Sequence, residues 1–186
     1  MDKEHLLDVA IQQLVVDNGA SLNDIARAAG TSRATLHRYF ASRLDLLRAI
    51  ALKAATDAEQ AIQQSRIDDD SSLEALTRVV HLLMPIGHRC YFLLRLNEPE
   101  LEHDSDVSTT INRLSTELDR LILRGQQEGV LRADFSVRWT RKVIGELLFA
   151  TWEGMRDGYI APLEATQIML NTLLNGIGIS TEQTGT

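Results

Sequence analysis

From Ser32 to Arg43 the sequence SRATLHRYFASR gathers Arg33, Arg38 and Arg43 with His37 and several hydroxyl side chains. Guanidinium groups donate hydrogen bonds in pairs, to the acceptor edge of a guanine or to phosphate oxygens, and imidazole and hydroxyl groups donate singly. Helical spacing sorts these residues: Leu36 and Phe40, four apart, turn inward, while Arg33, Ala34, Thr35, His37 and Arg38 remain outside. The chemistry such a face performs is recognition of a polyanion, because small residues allow close approach and cations supply the contacts.

The elements that must hold this face are legible around it. Ser21 with Asp24, and Ser42 with Asp45, fit the pattern in which a hydroxyl satisfies orphan amides and an acid favours the positive helix end. Leu22, Ile25, Ala26 and Ala29 form one apolar stripe, and Gly30 then supplies the permissive backbone that ends a helix. Ser32 caps the next helix, and Ser42 starts a third. Two short helices, a tight turn and the start of a third constitute a helix-turn-helix.

The run IARAAGTSRATLHRYFASRLDLL resembles the amino-terminal DNA-binding domain of the TetR family of bacterial transcriptional regulators. It carries the family's Ile-Ala, Ala-Gly, Ser, Thr-Leu, aromatic-Phe, Ser-basic and Leu positions, many more fixed points than a lone short signature. Arg33 is the candidate reader of a guanine edge, with Ala34 and Thr35 small enough to meet bases or a thymine methyl group. By resemblance His37 stands where the family has a phosphate-contacting tyrosine, and Arg43 where it has a lysine at the next helix start. Arg43 is expected on phosphate, beside exposed helix-end amides, and Arg38 and Tyr39 on backbone or bases, Tyr39 alternatively packing beside Phe40. Ser32 and Ser21 complete the expected DNA face, although capping alone would account for Ser21. Arg27 and Arg48 read as peripheral salt-bridging residues, and no basic arm precedes the first helix.

Composition agrees. The 186 residues are 44% hydrophobic, enough for a sizeable helical core, and carry a net charge of −7. That charge is unevenly spread: from Ser21 to Arg48 five arginines oppose two aspartates, a local excess of +3, which leaves the remainder at −10. Local positive charge steers association with phosphate while the acidic remainder discourages promiscuous binding. No charged leader with an apolar run and no stretch of roughly 18 apolar residues is present, so a cytoplasmic protein without membrane contact is expected. Cys90 reads as a small core residue, and His81, His88, Cys90 and His103 match no common zinc spacing, so neither metal nor cofactor is expected. No nucleophile elbow, phosphate loop or acid-base cluster argues for an enzyme.

The predicted fold is all-α: a three-helix DNA-binding domain at 1–48, a helical ligand-binding and dimerisation domain at 49–178, and a disordered tail at 179–186, with about nine helices in all. A long helix from Arg43 to Gln64 ties the halves, the polar run Asp68 to Ser72 stops it, Pro-Ile-Gly interrupts the next before a piece from His88 to Leu96, and Glu98 to Asp106 reads as an acidic loop. The helix from Val137 to Tyr159 is apolar nearly all round, which requires partners on two faces. A homodimer through Val143, Leu147, Leu148, Thr151, Leu170, Leu173, Leu174 and Ile177 meets that need, as would a central position within a monomer; the resemblance, to regulators that dimerise through their last two helices, favours the dimer. The resemblance also implies a double-stranded operator and release by a small-molecule effector. His81, Met84, His88, Tyr91, Arg95, Trp152 and Met155 are the candidate ligand residues, though the same mixture suits an ordinary core edge. The alternative function is a helical interaction or sensor protein that binds no operator.

Overall fold

The computed structural model describes residues 2–89, 101 and 104–177. Among them lie eight α-helices and no strand: α1 (Lys3–Val16), α2 (Leu22–Ala28), α3 (Arg33–Tyr39), α4 (Arg43–Gln64), α5 (Ser72–Leu83), α6 (Ser105–Gln127), α7 (Val137–Arg156) and α8 (Pro162–Ile177), with a 3-10 turn at Met84–Ile86 where Pro85 interrupts α5. Of the piece expected from His88 to Leu96, His88 and Arg89 are helical and the rest lies outside the described residues, as do Cys90, Tyr91, Arg95, His103 and the tail at 179–186. The expected acidic loop ends earlier than Asp106. Asp104 accepts hydrogen bonds from the amides of Asp106 and Val107, both at 3.1 Å, so this one acid caps α6 and the helix starts at Ser105.

The chain divides into two compact units, Met1–Thr56 with His88–Thr110, and Asp57–Gly87 with Ile111–Thr186. In the first, α1 begins on Asp2, whose carboxylate accepts from the His5 amide at 2.8 Å, and it buries Leu6, Leu7, Ala10, Ile11 and Leu14. These meet Ile25 and Ala26 of α2, Leu36 of α3, and Leu46, Leu47 and Ile50 of α4 in one core, which Phe40 and Leu101 close. Ion pairs tie Arg89, Asp104 and Asp106 to residues of this bundle. Arg48 pairs with Asp104 and Asp106, each at 2.5 Å, and Arg89 pairs with Asp8 at 2.6 Å.

In the second unit the polar run after α4 is held by ion pairs. Asp70 accepts from Arg78 at 2.8 Å, Arg120 reaches Asp68 at 3.3 Å, and Ser71 with Glu74 forms the capping box of α5. Glu128 accepts from the buried Ser72 amide at 2.7 Å, and Ser72, its side chain first and this amide second, holds the Glu128 carboxyl below the usual range. α7 and α8 pack on each other, α8 contributing the fully buried Ala165, Met169 and Leu173. Two glycines admit close approaches: Trp152 lies 3.0 Å from where a Gly87 Cβ would stand, and Ile160 lies 2.5 Å from that of Gly154. No helix of the described residues is long and apolar enough to cross a membrane.

Candidate nucleic-acid interface

α3 has seven residues, far too few to be stable alone, so its position depends on what holds it. At the preceding turn the Gly30 amide donates to Arg27 at 3.1 Å and the Thr31 amide to Ala26 at 2.9 Å, the paired bonds of a Schellman ending on α2. Gly30 has φ +63°, a left-handed conformation that costs a residue with a Cβ about 1–2 kcal/mol. The Ser32 hydroxyl then accepts from the Thr35 amide at 3.0 Å and starts α3. Leu36, fully buried, and Phe40 at the C-cap anchor the inward side. Turn, cap and anchors together fix the rotation of α3 about its axis, and with it the outward face.

The structure places the residues expected on that face as follows. Arg33, Ala34 and Arg38 are exposed, and His37 and Thr35 are half-buried. Thr35 is not a free reader: its hydroxyl lies 3.0 Å from the Ser32 hydroxyl, in the cap itself, which leaves its methyl as the group for an apolar contact. Arg43 is half-buried and donates to the Asn18 carbonyl at 2.7 Å, so part of its work is to tie the start of α4 to the turn after α1. Tyr39 packs partly on the core with its ring 6.4 Å from that of Phe40, the packing alternative read from sequence. Ser21 is committed to the capping box: its amide and hydroxyl both reach the Asp24 carboxylate, at 3.0 and 2.6 Å. Those bonds, the hydroxyl first, hold the Asp24 carboxyl below its ordinary range. Arg27 pairs with Asp24 at 3.0 Å, and Arg48 is engaged by Asp104 and Asp106, so both salt-bridge as their positions suggested.

Sequence reasoning missed one contact on this face. The Arg33 Nε–H donates to His37 Nε2 at 3.3 Å, one helical turn along. The spacing of four residues was its signal.

The residues expected to hold a ligand are not all described together. His81, Met84, Trp152 and Met155 belong to the second unit and His88 to the first, while Tyr91 and Arg95 lie outside the described residues. His81 is exposed and Met84 buried; Trp152 is half-buried, its ring against Gly87 and 5.5 Å from the Arg156 guanidinium, and Met155 is half-buried beside it on α7. Among the described residues no group of three or more side chains suited to a metal occurs.

The expected dimer residues separate into two sets. Leu148, Thr151, Leu170 and Leu173 are 0–6% exposed within the single chain, so almost none of their area is left for a partner to cover. Val143, Leu147 and Leu174 remain half-buried, and Ile177 ends α8. The uncovered stripe of α7 runs Trp139, Val143, Leu147 and Ala150, with Trp139 55% exposed, and α8 adds Leu163 and Ile168. These are apolar side chains of the two helices that keep area for a partner to cover.

A capped, buried-anchor helix-turn-helix that presents arginine and histidine on its second helix, followed by helical elements with an uncovered apolar stripe, defines a DNA-binding transcriptional regulator. The sequence profile of bacterial regulatory proteins, tetR family, matches residues 6–50. The HTH-type transcriptional repressor LfrR of Mycolicibacterium smegmatis is 30% identical over 181 residues, spanning 92% of this chain and 88% of LfrR. The HTH-type transcriptional regulator NfxB of Pseudomonas aeruginosa is 27% identical over 173 residues, spanning 93% and 92% of the two chains. The crystal structure of LfrR from Mycobacterium smegmatis in complex with proflavine superposes with a TM-score of 0.76 at 27% identity, covering 96% of this chain and 97% of that one. The chain belongs to the TetR family of bacterial transcriptional regulators.

Proposed function

We propose that the protein is a ligand-responsive repressor that binds a pseudo-palindromic operator as a homodimer and is released by a small molecule. Residues 1–48 act as the DNA-binding domain and 49–178 as the ligand-binding and dimerisation domain. The observation that carries this reading is the outward face of α3, where Arg33 and Arg38 are exposed on a helix whose rotation is set by Ser32 and Leu36. Ser21, Ser32, Ala34, Thr35, His37, Tyr39 and Arg43 frame that face, some as contacts and some as its supports.

The second copy sits on the uncovered stripe of α7 and the exposed residues of α8, so that two α3 helices meet half-sites about 34–36 Å apart. Met84, Trp152 and Met155 supply the apolar part of the effector site, and His81, His88, Tyr91 and Arg95 its polar candidates. LfrR is structurally characterised with proflavine, which makes proflavine a suitable first probe here. Because α4 runs continuously from Thr56 of one unit to Asp57 of the next, a ligand that favours one α4 position shifts the population competent for DNA.

Selection of bound duplexes from a random pool tests the reading. The expected product is an inverted repeat whose affinity falls linearly on a log scale with salt and weakens when proflavine is added. Recovery of unselected sequence, with no salt-dependent binding, overturns it and favours an interaction or sensor protein.

A further inference from the structure

The contact between Arg33 and His37 changes what His37 is for. For Nε2 to accept from Arg33, the imidazole must carry its hydrogen on Nδ1, so the ring nitrogen nearest the arginine is an acceptor. The bond takes the arginine's Nε–H, and no hydrogen bond among the described residues takes its two terminal amino groups. A guanidinium held through Nε can still present both terminal groups end-on, which is one geometry that donates two parallel bonds to the O6 and N7 acceptors of guanine. A long exposed arginine otherwise samples many rotamers and loses that freedom on binding.

We propose that His37 is a specificity-determining positioning residue, which holds the Arg33 guanidinium end-on for a guanine rather than serving as a phosphate contact. The inference rests on the DNA-reading function proposed above, and it adds to that reading which side chain sets the base preference. Helical geometry supports the assignment. Side chains on a helix lean toward its N-terminus, so His37 leans toward Arg33 from one turn below. His37 is half-buried while Arg33 is exposed, so the support lies beneath the reader.

The test uses the full-length protein and an operator obtained by selection, with dissociation constants measured on that operator, on single-base variants and on random duplex at several salt concentrations. His37→Ala should weaken the operator about tenfold and flatten preference at the same base pair that Arg33→Ala flattens. Random-duplex binding should stay within about twofold and the salt slope unchanged. His37→Gln, whose side-chain carbonyl can accept from Nε, should recover preference, and Arg33→Ala with His37→Ala should be no worse than Arg33→Ala alone.

A uniform loss on every sequence, with or without a change in salt slope, makes His37 a phosphate contact and overturns the proposal. Additive effects of the two alanine substitutions overturn it equally. If the unaltered protein selects no operator, the DNA-reading function fails and this assignment with it; a retained operator with either of the preceding outcomes overturns the assignment alone.

Discussion

Leu36→Ala is the perturbation that most directly asks whether α3 is presented by its anchors. Leu36 is fully buried and is the single α3 side chain in the core apart from the C-cap Phe40 and the partly packed Tyr39. Truncating such a leucine costs about 2–5 kcal/mol, through lost transfer energy and the cavity left behind. Against a total stability of about 5–15 kcal/mol this leaves a folded chain, with a melting midpoint lower by roughly 5–20 °C at this length.

A helix of seven residues has little stability of its own, so the loss falls first on the docking of α3. The apparent dissociation constant then rises by the inverse of the docked fraction, about tenfold or more. Leu131→Ala is the matched control, since Leu131 is equally buried but lies in the second unit. Thermal unfolding and fluorescence titration of the selected operator at 25 °C separate the two. Both variants should lose comparable stability, whereas Leu131→Ala should keep its operator affinity within about threefold. Equal loss of affinity in both would show that global unfolding explains the effect and would refute local anchoring of α3.

Gly30→Ala tests the turn by strain alone, because nothing lies within 4 Å of the added Cβ: the expected loss is about 1 kcal/mol by thermal unfolding, after offset from the stiffer unfolded chain, and Gly30→Asn should lose less. The Asp104 carboxyl is held below the usual carboxylate range, first by the hydrogen bond from Arg48 and then by the Val107 amide. Its stabilisation is therefore present above the unfolded carboxylate range and is lost as pH falls through the lower folded value, so a stability-versus-pH curve measured below about pH 5 should be shallower for Asp104→Asn than for the unaltered protein. Leu147→Glu, placed in the uncovered α7 stripe, should convert the dimer to monomer in light scattering with helicity retained, while an unchanged mass would move the interface elsewhere.

What the sequence disclosed and what it withheld divide by the range of the interactions. Ser21 with Asp24, Gly30 and Ser32 act on amides within a few residues of themselves, so spacing alone located α2, the turn and α3. Arg48 and Asp104 are 56 residues apart and Arg43 reaches the Asn18 carbonyl 25 residues back, and nothing local announces either bond. The start of α6 was misplaced because an acidic cluster reads as loop, whereas one member of it, Asp104, serves as the cap. On α7 the apolar pattern runs nearly all round, so periodicity could not tell the stripe that meets its own core, through Ile144, Leu148 and Thr151, from the one left uncovered.

The geometry of α3 also argues for why two copies are needed. Seven residues span about 10 Å, so one helix reaches few base pairs. Within that span the Ser32 and Thr35 hydroxyls are occupied by the cap, and the Arg43 guanidinium donates to Asn18. On the reading proposed above Arg33 reads a base, with Arg38 exposed beside it, and one good bidentate contact discriminates by about 1–3 kcal/mol. Specific binding commonly exceeds non-specific binding by about 4–10 kcal/mol, which a single such contact does not reach. Two symmetry-related copies double the direct readout to about 2–6 kcal/mol, and apolar contact from Ala34 and Thr35 together with the sequence-dependent shape of the DNA supplies the remainder. A monomer would therefore retain salt-dependent binding through its local positive charge and lose most of its preference for the operator.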